Sequence, residues 1–522
     1  MLTLYILLLG VVVATLAITQ QKLSRQRRNA RCMAQTGSLP APMLESGFLG
    51  IKSSIEAVRA LKDGSYFPLV RKRFAQNGRT FQGLGFGQSY LITSDVENVR
   101  TILWNVDGFH TTGRRADYWP LLRGGILLSS GPQWRASRSI IQPAMARSRV
   151  NDATYLEDRV VELIERLPKD GSTVDLQEYF QRLTFDSAID YLCGERLDSD
   201  QEAEAKVTIR SHFHTAMIEI GRRSKLGFIC QLDMFTRPIG FYRYIRSALA
   251  MNHYFEKLVT GRSTRLAVVR ERNEKESERL REEFQPEPFV FLDHLAEATT
   301  DHGQIKWELA TAVAAGRDTT ASLMAHVFWE LSRRDEVWGN LQQEVQMLNG
   351  RAPTFADLDK MLYLKAVIKE ALRMYSSIPN SNRWATHDLI LPRGGGPDGQ
   401  SPCFVPAGQR ILIAYHAIHF DPDIWGPDAD EFKPERWLVP DTSGGGGKVR
   451  LLIPAKNTYV PFSSGPRNCP GQHYVFKSVS YTMVRMLQNF GRIESRDERP
   501  YAAETSVSIA MKHGTLVGLY PS

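Results

Sequence analysis

The 522-residue chain is 43% hydrophobic and 23% charged, enough apolar material for a large core, and no low-complexity block argues for disorder. A net charge of +8 is moderately basic. Without a basic–aromatic repeat, zinc-finger spacing or RNA-binding signature, it points to an anionic membrane surface or an acidic protein rather than to nucleic acid. The five cysteines (Cys32, Cys193, Cys230, Cys403 and Cys469) are odd in number, far apart and never spaced as CxxC, which argues against a disulfide framework and a structural zinc site.

Residues 1–21 carry no charge and include "LYILLLGVVVATLAI", a run long enough to span a bilayer as a helix. A cleaved signal peptide is the rival reading, because residues 14–19 are rich in small side chains. Against it, no basic segment precedes the run, whereas Lys22, Arg25, Arg27, Arg28 and Arg31 follow it. By the positive-inside rule these charges keep the remainder cytosolic. Residues 22–50 form a basic, proline-bearing linker containing "GSLPAPMLESG", and residues 51–522 form one mainly α-helical domain with a minor β region.

Helical patterns follow in order from Tyr155, over the charged run 262–283, over 307–334, from Leu364 and from Tyr474. In the last, Phe476, Val479, Met483, Leu487 and Phe490 share one stripe that faces the core. "TFQGLGFGQSYLITS", "DLILP" and "QRILIAY" read as one small sheet, with "GGGPDGQSP" and "SGGGG" as loops.

The stretch "PFSSGPRNCPGQ" carries the chemistry. Pro470 suits the first turn of the helix that continues through Tyr474. That places Cys469 at a helix N-terminus, where the dipole favours a thiolate. Gly465 and Gly471 let backbone or a flat ligand come close, and Arg467 could pair with an anion on that ligand. Together these residues suit haem, with iron on sulfur and arginine on a propionate.

The pattern Phe462-x-x-Gly465-x-Arg467-x-Cys469-x-Gly471 resembles the cysteine-ligand loop of cytochromes P450 at each signature position. Four further marks stand in the family's order. "KEALR" and "FKPERW" supply Glu370, Arg373 and Arg436, an ion-pair network behind the haem in that family. Taken alone, the Glu370–Arg373 spacing reads as an ordinary surface pair; Cys469 downstream reverses that reading. "AAGRDTTAS" places Gly316, Asp318 and Thr319 in the middle of a helix. In the family that helix crosses the distal haem face, with a widened turn beside its acid–alcohol pair. "GPQWRASR" contains Trp134 and Arg138, a pair four apart that would reach one propionate, and Arg383 in "IPNSNRWATHD" would reach the other.

The resemblance implies the cytochrome P450 fold, haem b and monooxygenation. O2 would be used, with NADPH electrons delivered by NADPH–cytochrome P450 reductase and cytochrome b5 as a further candidate partner. It also implies single-pass attachment to the endoplasmic reticulum membrane. Cys469 is then the axial iron ligand, and Asp318 and Thr319 relay protons. The alternatives are a P450-fold isomerase, lyase or dehydratase that needs no reductase, and a non-catalytic haem-binding protein. "AGRDTTA", "LPRGGGPDGQSP", "WGPDADEFKPERW" and "GILLSSGPQW" resemble a fungal branch that includes alkane and fatty-acid terminal hydroxylases. In "YHAIHFDPDIW", however, Phe420 stands where that branch usually carries arginine. The substrate is lipophilic, either a fatty acid or alkane or a polyketide or terpenoid intermediate. Residues 110–129, 212–235 and 506–511 are expected to line its pocket.

Overall fold

The computed structural model describes residues 20–21, 23–85, 87–145, 154–194, 200–226, 233–276, 290–441 and 449–522. The candidate anchor therefore lies almost wholly outside the described residues, as do Cys230 and the "SGGGG" loop. Among the described residues no helix is long and apolar enough to cross a membrane.

Helices dominate, with short strands gathered near the start and in the last third. Strands β1 (Thr80–Gly85) and β2 (Gln88–Thr93) form an antiparallel hairpin. They extend into a five-stranded sheet with β3 (Phe109–His110), β4 (Ser381–Ala385) and β7 (Arg410–Ile413), in the order β1-β2-β7-β4-β3. The β2–β7 pairing is parallel, with Leu91 opposite Ile411.

The expectation of one sheet needs correction for "DLILP". This segment belongs to β5 (Leu389–Gly395), which pairs with β6 (Ser401–Val405) in a separate two-stranded sheet. The glycine-rich loop between them turns the chain back on itself, so β5 meets its sequence neighbour first. Gly395 permits the fit, since a Cβ there would lie 2.3 Å from the Pro402 carbonyl oxygen.

Helix α1 (Val96–Trp104) packs beside the small sheets, and α2 (Gly131–Ala144) leads toward the core. The centre is built from α3 (Leu176–Cys193) against the 30-residue α6 (His302–Leu331), the two elements in most extensive contact. Asp301 caps α6 by accepting the Gln304 N–H at 3.1 Å. Between them in sequence lie α4 (Asp200–Leu226) and α5 (Pro238–Glu276); α5 takes in the first part of the 262–283 charge run, whose remainder is outside the described residues. Helix α7 (Leu362–Met374) buries Leu364, Val367, Ile368 and Ala371 on one stripe. Helix α8 (Gln472–Asn489) buries Val479, Met483 and Leu487 of its expected stripe, with Phe490 in the strand that follows. Phe476 is only half-buried, resting on Phe462 at 5.7 Å between ring centroids.

Candidate functional site

A cavity of about 2010 Å³ lies between α6, the loop 461–471, α2, α4, β4 and a hairpin made of β8 (Ala503–Thr505) and β9 (Ile509–Met511). Most of the sequence-predicted positions line this cavity, and the others lie behind it.

The loop holds its cysteine with backbone bonds. Cys469 N–H donates to the Phe462 carbonyl at 3.0 Å, and Asn468 N–H to the Gly465 carbonyl at 3.1 Å. Cys469, Phe462, Arg467 and Gly471 line the cavity. Gly465 does not; its φ of 72° and a Cβ that would sit 2.5 Å from the Leu103 carbonyl oxygen show that it lets the loop press against α1. At Gly471 a Cβ would come within 4.0 Å of Cys469 Sγ, so glycine there leaves the space beside the sulfur open.

The expectation for Pro470 needs correction. Pro470 and Gly471 form a turn, and α8 begins only at Gln472 with Gly471 as its N-cap. Cys469 therefore lies two residues before the N-cap, whose own N–H still acts on the sulfur. Burial pushes the Cys469 thiol up from its ordinary value, against the Gly471 N–H and the Arg138 charge.

Arginines surround this loop. Arg138 forks onto Asn468, donating to its carbonyl at 2.7 Å and its Oδ1 at 2.6 Å. Arg467 donates to Ser129 carbonyl at 2.9 Å and Thr111 Oγ1 at 3.1 Å, and lies 4.7 Å over the ring of buried Trp134. Arg383, on β4, donates to Ser381 Oγ at 2.8 Å and the Asn382 carbonyl at 2.9 Å. Burial first, then the fields of Arg383, Arg114 and Arg138, push Arg467 down to about 9. Burial and Arg114 bring Arg383 to about 10, with Tyr415 acting the other way. Arg114 was missed in the sequence; its signal was a charged residue inside the 110–129 segment already expected at the pocket.

Across the cavity, Gly316, Asp318 and Thr319 line the wall from α6. The helix runs on through these residues, and Thr319 Oγ1 donates back to the Ala315 carbonyl at 2.6 Å, a side-chain bond of the kind that bends a helix locally. Asp318 accepts from Arg317 Nη1 at 2.8 Å. Burial raises the Asp318 carboxyl, opposed by Arg317 and His214.

Behind the cysteine loop, Glu370 and Arg373 of α7 have side chains with no exposure at all. Glu370 accepts from Arg373 Nε at 2.9 Å and Nη2 at 2.8 Å, and from Arg436 Nε at 2.8 Å. It also accepts from the Lys433 N–H at 3.0 Å and Trp437 Nε1 at 2.9 Å. Arg373 donates onward to the His419 and Ala429 carbonyls at 2.7 and 2.6 Å. Phe420 belongs to this region and not to the cavity; it packs on His416 at 4.4 Å and under Arg71 at 4.8 Å.

All three expected pocket segments reach the cavity, the first through Thr111 and Ile126, the second through His214 and Met217, and the third through Ser506 to Met511. Residues 227–232 of the second segment lie outside the described residues.

A family model described as Cytochrome P450 matches residues 70–516. The chain is a cytochrome P450. It is 33% identical over 478 residues to "Cytochrome P450 monooxygenase himC" of Aspergillus japonicus, spanning 90% of this chain and 81% of that protein. It is 30% identical over 505 residues to "Cytochrome P450 52A12" of Debaryomyces hansenii, spanning 92% and 91%. It is also 31% identical over 498 residues to "Cytochrome P450 52A9" of Candida maltosa, spanning 90% and 89%. It is thus an enzyme of the cytochrome P450 monooxygenase family, which implies a haem cofactor. The cavity residues fit that group. One cysteine faces space kept clear by Gly471, and the charged groups acting on Arg467 are three other arginines, an arrangement that suits a ligand with two carboxylates.

Proposed function

We propose that this cytochrome P450 hydroxylates a lipophilic substrate with O2 and NADPH electrons, and that Cys469 would hold the iron of haem b through its sulfur. The observation that carries the reading is one cavity with Cys469 and its arginines on one wall and Asp318 and Thr319 on another. When bound, haem supplies oxygen activation and transfer.

The chain's own residues do the rest. Arg138, Arg383, Arg467 and Arg114 would bind the haem carboxylates, and the Trp134 ring supports the Arg467 guanidinium. Phe462 and Gly471 shape the face around the sulfur. Asp318 and Thr319 pass protons toward the reacting centre, Asp318 held in place by Arg317. Glu370, Arg373 and Arg436 fix the segments behind the cysteine loop. The acid–alcohol pair at the cavity wall favours monooxygenation over reductase-independent isomerase, lyase or dehydratase chemistry.

Electrons come from NADPH–cytochrome P450 reductase, with cytochrome b5 as an auxiliary donor. Residues 1–21 anchor the enzyme in the endoplasmic reticulum membrane, with the catalytic domain, residues 51–522, on the cytosolic side. The substrate is a fatty acid or alkane, as the motif resemblance suggests, or a polyketide or terpenoid intermediate. A spectral-shift screen across those classes separates them. Cys469→Ser is expected to abolish the thiolate-type Soret band of the reduced CO complex, and a band that survives refutes the ligand assignment.

A further inference from the structure

The acid–alcohol pair is not the only titratable chemistry facing the cavity. His214 of α4 and Glu504 of β8 line it too. The two come from elements 290 residues apart in sequence, brought to one wall by the fold. His214 is presented by its neighbour: Phe213 is fully buried and lies 5.3 Å under the Arg317 guanidinium, which fixes the register of α4 against α6. The next residue, His214, then opens onto the cavity beside Asp318. His212, two positions earlier, meets Ser247 Oγ at 3.1 Å and is occupied in joining α4 to α5. His214 has no such bond among the described residues; the groups that act on it are charges.

Those charges are Arg317 and Asp318 of α6 and Glu504 of β8; among the described residues none of α4 or α5 acts on it. The relation is mutual, since His214 in turn lowers the Asp318 carboxyl. Asp318 itself is 14% exposed in its side chain and tied to Arg317, so only a narrow approach to its carboxylate is open. Glu504 is exposed. His214 is exposed as well, so a solvent-accessible imidazole and a nearly buried carboxylate act on each other across one cavity.

We propose that His214 resupplies Asp318 with protons from solvent, and that Glu504 favours the protonated form of His214. The inference rests on the reading that Asp318 and Thr319 deliver protons to the site. The proton on the His214 imidazolium passes to the Asp318 carboxylate, directly or through one water, breaking an N–H bond and forming an O–H bond. Neutral His214 then takes a proton from hydronium in the solvent it faces, leaving water, and no electron moves. His214 acts through Asp318 and not on the reacting atoms. Burial and Arg317 lower its pKa from the ordinary imidazole value, while Asp318 and Glu504 oppose them. Supply is therefore fastest on the acid side of neutrality.

Two measurements test this. The first is histidine-selective NMR of the reduced, CO-bound holoenzyme, with His214 assigned through H214Q. Removing either acidic neighbour, in D318N or E504Q, should lower its titration midpoint by about half a pH unit or more, and R317Q should raise it. A midpoint unmoved by D318N overturns the proposal. The second is peroxide released per NADPH consumed, with dodecanoic acid as probe substrate, as a function of pH. H214Q should raise peroxide release roughly three- to tenfold, less than the ~100-fold loss expected for a directly acting acid. It should also flatten the acid limb of the profile at saturating dodecanoic acid, and H214K, which restores a protonatable group, should return part of the acid limb. If T319A uncouples the enzyme while H214Q behaves as the parent, the relay is wrong and the acid–alcohol reading stands. If T319A is fully coupled, both fail.

Discussion

Replacing Glu370 with glutamine isolates the charge at the centre of the network behind the cysteine loop. The two side chains have nearly the same shape, so no cavity opens and packing is preserved. Glu370 Oε1 accepts three N–H groups, from Arg373, Arg436 and Lys433, and Oε2 accepts two, from Arg373 and Trp437. An amide turned to keep the three must point its NH2 at the two donors formerly on Oε2. One bond to a charged donor is lost, worth about 1.5–3 kcal/mol, and the indole N–H of Trp437 is left unsatisfied at about 1–3 kcal/mol. Arg373 becomes a fully buried cation without an anion, partly relieved by its carbonyl acceptors on His419 and Ala429. Breaking such a pair costs about 3–5 kcal/mol overall, a large share of the ~5–15 kcal/mol that holds a typical protein folded. The control has the same spacing. Glu97 and Arg100 also form an i, i+3 pair, 3.7 Å apart, with side chains 50% and 62% exposed. E97Q should shift stability by no more than about 0.5 kcal/mol. Urea midpoints of the holoenzyme, followed by tryptophan fluorescence, compare the two variants without assuming a two-state transition. Equal midpoints for E370Q and E97Q would refute the assignment of Glu370 as a buried structural charge.

Two further outcomes are expected. Gly465→Ala puts a Cβ 2.5 Å from the Leu103 carbonyl at a backbone φ of 72°, and neither backbone can yield cheaply. Haem content per chain should fall severalfold although Gly465 does not touch the cavity; normal incorporation in G465A would contradict the tight loop–α1 fit. Deleting residues 1–21 should move at least part of the protein from the membrane fraction to the soluble one, and unchanged fractionation would rule out a sole anchor there.

Helices α7 and α8 are legible in the sequence because each buries an apolar stripe at the helical period, whereas α6 is buried nearly all round from Thr320 to Phe328. Partners of short strands are not, because a period of two says which face is buried but not which strand lies alongside; β5 shows this. The misplacement of Pro470 has a local cause. Proline fits a helix start equally well two residues early, and only the turn at 470–471 decides between the two. Cys469, Arg467 and Gly471 lie in one short segment and can be read together. Arg114, His214 and Glu504 cannot, since no spacing connects them and each is unremarkable in its own segment.

The arginines show most clearly what folding adds. Arg373 and Arg436 share a carboxylate whose lone pairs are taken up by five protein donors, which makes them structural. Arg138, Arg383 and Arg467 find carbonyls, hydroxyls and a carboxamide, and Arg467 feels three other cations. Holding those guanidiniums together costs electrostatic free energy that the protein's own neutral acceptors only partly offset. A dianionic ligand would offset the remainder and stabilise the folded chain in proportion to its binding. Substituting Arg467 with leucine would relieve the repulsion, so the chain without cofactor should resist urea at least as well as its parent. The same variant should retain haem less tightly and lose the stabilisation that haem confers. A variant destabilised equally with and without haem would mean that Arg467 is structural like Arg373, and that the propionate assignment is wrong.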